Sequence, residues 1–248
     1  MSLNNVRLQK VVKKQSVYKV KANLSMYSSL IVIQLLALLF SLGGTGTMGT
    51  SSVGYNGITI RLFSADIVIV FTMIWGFITA IMLTTKAYKE DEFIFVTNRL
   101  TSNLSNIIFL FVASIFSGIT AVLSGYLLKV IMFSFFNYEF LHAGTSSEFG
   151  IFISGLLTTI LYVFMFSSFG YLIGTVVQLS KMFIIIVPVV IIGGVYLLSR
   201  INQDVILDIG SFYFLESNFF IALTKIILTA GICFLAAIFI SNRLEVRK

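Results

Sequence analysis

Lys225 is the charge in this sequence hardest to explain as solvated surface. It stands six residues inside an apolar run that begins at Phe219, about 9 Å along a helix at 1.5 Å per residue. An ionised group at that depth in hydrocarbon costs several kcal/mol, so it marks a transport path, a buried partner or a side chain that snorkels to water. The alternatives are outward snorkelling, contact with a substrate, or contact with an acid such as Glu216; a span that starts near Lys225 would also relieve it. Lys129, at the end of another apolar run, reads as snorkelling. Asp66 follows Arg61 closely enough for the two to pair or to reach headgroups.

Other chemistry is thin. Gly44-Thr-Gly-Thr-Met-Gly49 has the spacing of a dinucleotide-binding loop, but that loop works only between a strand and a helix of a βαβ unit, and neither is expected here. The single histidine, His142, falls in a polar loop where such residues are ordinarily solvated. One cysteine, Cys233, excludes an intrachain disulfide. No metal-ligating or acid–base constellation is evident, and no G-x-x-x-x-G-K-[ST] loop occurs. The chain is therefore expected to carry no cofactor and to hydrolyse no ATP itself.

The elements that must position these residues are membrane spans. Hydrophobic residues make up 58% of the 248 and charged residues 11%, against roughly 45–50% and 25% in soluble domains. About 20 apolar residues cross about 30 Å of hydrocarbon, and the sequence divides into six such runs. They cover about Ser28–Leu42 (beginning as early as Leu24), Leu62–Leu83, Ile107–Leu128, Phe149–Val177, Phe183–Leu198 and Phe219–Ile240. Gly43–Gly57, rich in Gly, Ser and Thr, reads as a flexible linker. The expected fold is an all-α polytopic membrane protein with a single transmembrane domain.

Charge fixes the expected orientation. With the amino terminus inside, thirteen Lys and Arg fall in inside segments and two, Arg61 and Arg200, outside. Both termini are therefore expected in the cytoplasm of a cell-membrane protein. The net charge of +7 sorts by membrane side rather than forming a patch for nucleic acid, which is excluded as a partner. The first 25 residues lack the apolar core of a cleaved signal peptide.

Two segments are neither span nor simple loop. In residues 1–25, Leu8, Val11, Val12, Tyr18 and Ala22 share one helical face while Arg7, Lys10, Lys14 and Lys21 share another, as in a helix lying in the headgroup layer; Lys19 and Gln15 interrupt the apolar face. A disordered basic tail that only enforces topology is the other reading. Between the second and third runs, Phe93, Val96, Leu100 and Leu104 form one helical stripe. Glu90, Asp91 and Glu92 open it and Arg99 sits in its later turn, matching the helix dipole at both ends. This short helix either rests on lipid as a linker or docks a cytoplasmic partner; the pattern serves both.

Gly170 and Gly174 make a G-x-x-x-G pair suited to close helix packing. Pro188, the sole proline, with Gly193-Gly194 beyond it, predicts a kink or hinge in the fifth span. Among the 25 phenylalanines, Phe164, Phe166 and Phe169 are candidates, with Lys225, to line an apolar passage.

The layout resembles the membrane permease subunits of ATP-binding-cassette transporters, in the type-2 exporter class. The resemblance rests on the basic stretch 5–24, on Lys89-Glu-Asp-Glu-Phe-Ile-Phe-Val-Thr-Asn-Arg99 leading through Ser102 into the third span, on the Gly170/Gly174 end of the fourth span with its Ser180-Lys181 turn, and on the apolar and acidic loop before the last span. It implies an elbow helix at the amino terminus, a coupling helix at 88–104, an outer re-entrant segment at 201–218 and a cytoplasmic tail at 242–248, around a bundle at 26–241. It also implies docking residues Glu90, Phe93, Val96, Arg99 and Leu100, a separate dimeric ATPase subunit that holds ATP and Mg, and a second permease chain, identical or homologous. The cargo it implies is amphipathic or apolar, such as an exported or expelled antimicrobial peptide. The alternative class, a secondary transporter or channel with no ATPase, ordinarily holds ionisable groups at the midplane, and no convincing midplane acid is present.

Overall fold

In hydrocarbon every backbone N–H and C=O must be satisfied within its own segment, which makes the long apolar runs helices. The computed structural model describes residues 8–44, 46–50, 58–62, 64–85, 88, 98–136, 149–180, 182–201, 204–216 and 218–243. Among them are eight helices: α1 Leu8–Ala22, α2 Leu24–Ser41, α3 Asp66–Leu83, α4 Arg99–Phe136, α5 Phe149–Val177, α6 Phe183–Ile201, α7 Asp204–Phe214 and α8 Phe219–Arg243. Six of these, α2 through α6 and α8, are long and apolar enough to cross a membrane. The protein is a helical membrane protein of the expected span number.

Three sequence expectations change. The linker after α2 contains a strand, β1 Gly46–Thr50, paired antiparallel with β2 Ile58–Leu62 in the register Gly46↔Leu62 to Thr50↔Ile58. Ile58-Thr-Ile-Arg-Leu62 alternates apolar and polar residues with the period of a strand. The second span accordingly begins at Asp66, not Leu62. The third begins at Arg99 rather than Ile107 and runs 38 residues. Its first two turns are polar, yet Thr101, Asn103, Ser105 and Asn106 are buried against protein, so polarity there marks packing within the bundle. The fifth span, α6, is assigned as one helix through Pro188.

The bundle is organised on α5. Glycine lets α3 and α5 touch backbone to backbone. A Cβ on Gly170 would run into the carbonyl oxygen of Phe77, and one on Gly174 into Thr84 Oγ1. From the other side, a Cβ on Gly76 would come within 2.8 Å of Ser167 Oγ. Around this seam the core gathers Leu30 of α2, Trp75 and Leu83 of α3, Phe109 and Leu110 of α4, Tyr171 of α5 and Phe234 of α8. Polar groups add interhelical bonds: Gln34 Nε2 donates to Thr72 Oγ1 and to the Ser117 carbonyl, both at 3.2 Å, and Trp75 Nε1 donates to Ser29 Oγ at 3.0 Å. By contrast, none of the apolar window of α6 is buried against this chain.

Candidate functional site at the basic end of the bundle

The start of α4 meets α1, α5 and α8 at one end of the bundle, and polar side chains make each junction. From α1, Lys19 is 5% exposed and its Nζ donates to Asn106 Oδ1. Asn106 Nδ2 donates to Tyr171 Oη of α5 at 3.3 Å, and Tyr171 Oη donates to Asn103 Oδ1 at 2.8 Å. The result is a buried chain, Lys19–Asn106–Tyr171–Asn103, through three helices. Removing an ammonium from water costs several kcal/mol unless its hydrogen bonds are replaced, so Asn106 sets where α1 can rest on α4.

The buried side of α1 is correspondingly not the apolar stripe of the sequence reading. Val12, Gln15, Ser16 and Lys19 face protein, while Tyr18 and Ala22 are exposed. The two residues that interrupted the stripe are the ones packed inward. Gln15 is fully buried, and neither of its amide atoms has a partner among the described residues.

Arg99 makes the third junction. It is the first residue of α4, and its Nη1 donates to the carbonyl of Ser241 at 3.1 Å. The last carbonyls of a helix lack intrahelical partners and carry the negative end of its dipole, so a guanidinium is favoured there. Arg99 thus caps α8. Leu100, beside it, is exposed. Glu90, Phe93 and Val96, the other expected docking residues, lie outside the described residues, as does His142. Tyr88 is described and packs against the core that contains Trp75, Tyr171 and Phe234. At the same end, Gln178 Nε2 donates to the carbonyl of Thr84, tying the close of α5 to that of α3.

At the opposite end, Lys225 does not simply snorkel. Its Nζ pairs with Glu216, donates to the Phe212 carbonyl at 3.3 Å and lies 3.9 Å from the centroid of the Phe212 ring. This is the Glu216 alternative of the sequence reading, with both groups partly exposed. The knot ties α7 to α8. A second tie joins α7 to α5: Tyr162 Oη donates to the Tyr213 carbonyl, and the Tyr162 and Phe214 rings stack at 5.1 Å. Tyr162 lies thirteen residues into α5, about 20 Å from its first residue at 1.5 Å per residue. Asp66 accepts a hydrogen bond from Ser64 Oγ at 2.7 Å, and Lys129 Nζ lies 5.6 Å from the centroid of the Tyr126 ring.

The three candidate passage residues share one cluster, and Phe164 reaches a second. Phe164 fills the joint between α4 and α8, with its ring 5.3 Å from Phe111 and 5.1 Å from Phe234. Phe166 and Phe169 meet edge to face at 6.2 Å, and both pack, as Phe164 also does, on the cluster of Met73, Tyr162 and Ile226. No group of three or more His, Cys, Asp or Glu that could hold a metal occurs among the described residues.

No protein-family model, curated protein or solved structure matches this chain.

Sequence reading passed over Asn103, Asn106 and Tyr171, and noted Lys19 only as an interruption of the apolar face. The available signal was an anomaly: a lysine on the wrong face of α1, and asparagines spaced three apart where the third span was thought not to have begun.

Proposed function

We propose that this chain is the membrane permease subunit of an ATP-driven exporter of the ATP-binding-cassette type, worked by a separate ATPase and moving an amphipathic or apolar cargo. The observation that carries the reading is the convergence at Arg99 and Asn106. The segment just before α4 joins the bundle where α1, α5 and α8 are hydrogen-bonded to α4. A push on residues 88–98 from the cytoplasm would thus be felt by four helices at once, as a coupling segment requires. The basic composition of this end agrees with a cytoplasmic location. The tie between α7 and the middle of α5 suits an outer segment that re-enters the membrane. The face of α6 left open by this chain offers room for a second permease.

A secondary transporter or channel is the weaker reading. Among the described residues no carboxylate is buried, and the buried ammonium of Lys19 sits at a bundle end beside Arg99's helix rather than at mid-span.

Affinity capture of the tagged chain from its native membrane, followed by an ATP-hydrolysis assay, tests the proposal. The captured partner should hydrolyse ATP and carry a phosphate-binding Walker loop. Phe93→Asp should leave membrane insertion intact and abolish the capture. An undiminished partner on that variant, or cargo movement by the purified chain alone, would refute the reading.

A further inference from the structure

A groove of about 540 Å3 runs between α1 and α4, lined by Val12, Val17 and Val20 from one helix and Leu104, Ile108 and Val112 from the other. Its size falls within the roughly 300–1,000 Å3 of ligand pockets. The α4 side is a single stripe, since residues four apart share a helix face. Leu104 to Val112 spans about 12 Å, as does Lys13 to Lys21 on α1, at 1.5 Å per residue. Both lysines belong to the groove's lining. The walls stay uncovered by this chain: Val17 is 48% and Ile108 41% exposed. The groove is thus apolar along its length with ammonium groups on its α1 rim, and Lys10 and Lys14 add exposed charge on the same helix.

An apolar trough bordered by cations fits a molecule with a hydrocarbon chain and an anionic head. We propose that the groove is a binding site for one anionic phospholipid. An acyl chain lies between Val17 and Ile108 and the phosphate is held by Lys13 and Lys21. The site uses the side of α1 next to the one that carries Lys19, so the lipid wedges α1 and α4 together where Lys19 and Asn106 already join them. The proposal concerns the lipid alone and stands apart from the transport reading.

The test is native mass spectrometry of the full chain, purified from vesicles of phosphatidylcholine mixed with phosphatidylglycerol. One phosphatidylglycerol should be retained. At about 1 kcal/mol for each lysine near an anionic headgroup, Lys13→Gln with Lys21→Gln should weaken retention about 30-fold, and the paired arginine variants should restore it. Val112→Trp, which fills the trough, should weaken it as well, and glycerol phosphate should not compete. Unchanged retention in the glutamine variant refutes the headgroup site. Loss there without loss in Val112→Trp shows surface adsorption and refutes the groove. Competition by glycerol phosphate points to a free phosphate site instead and refutes the lipid. A wild-type measurement avoids any folding defect: phosphatidylglycerol with a photoreactive acyl chain should label residues 12–20 and 104–112. Labelling spread evenly over the spans overturns the proposal.

Discussion

The α3–α5 seam and the α6 span are built from equally apolar sequence and end in opposite surroundings. Along the seam, Gly76, Gly170 and Gly174 stand where any Cβ would strike the neighbouring helix. On α6, a Cβ added to Gly193 or Gly194 would meet nothing within 4 Å. Lipid tails are as apolar as leucine, so hydrophobicity cannot pull one helix to another within a bilayer. Close backbone approach and interhelical hydrogen bonds do so instead. Two glycines four residues apart put both gaps on one helix face; two adjacent glycines do not. The comparison explains why similar runs give one central helix and one left uncovered by this chain.

The sharpest way to break this contrast is Gly170→Ala. The added methyl meets the Phe77 carbonyl, a backbone group that cannot swing aside, and the loss of stability should reach the upper end of overpacking, about 3 kcal/mol. Unfolding in mixed micelles measures it, and a loss under 1 kcal/mol would mean that the seam opens readily. Next in size is the polar junction of α1. Asn106→Leu removes one acceptor of a buried ammonium and should cost more than Lys19→Met, which leaves a neutral amide short of a donor at about 1–3 kcal/mol. The reverse order would mean that Lys19 draws little from Asn106.

Gln34→Leu probes hydrogen bonding without close approach. It removes two bonds between α2 and its neighbours, and bonds of this kind average about 0.6 kcal/mol, with a maximum near 1.7. A cost well above that range in the same assay would make polar bonding, not glycine packing, the main bundle determinant. The smallest effect belongs to α6, where Gly193→Ala should shift stability by no more than about 0.5 kcal/mol. A large loss in the purified chain would reveal a packed partner on that face, such as a second copy.

Most of the span layout was legible in the sequence, because length and hydropathy are local properties. Phe149–Val177 is the same in both readings, and the sixth run differs only at its far end. What escaped was anything that depended on a distant partner. The polar first turns of α4 read as part of a separate interfacial helix because Asn103 and Asn106 find Tyr171 and Lys19 only after folding. Ile58–Arg61 was left between linker and span, and Leu62 taken into the span, because the strand's partner Gly46–Thr50 is distant and itself reads as linker. Of the candidate site, Arg99 was singled out for its charge, but its partner on α8 is separated from it by 142 positions and nothing local announces it. The Glu216–Lys225 pair was within reach because the two stand nine residues apart.

That separation of 142 residues bears on how the protein is made. Ribosomes add about 5–20 residues per second, so Arg99 is polymerised roughly 7 to 28 seconds before Ser241. During that interval the guanidinium has no helix terminus to hold, and the earlier spans insert with this corner of the bundle still unlatched. Completion of the last helix is therefore the event that closes the corner, and a nascent chain stalled short of Ser241 would hold its first five spans without the clasp.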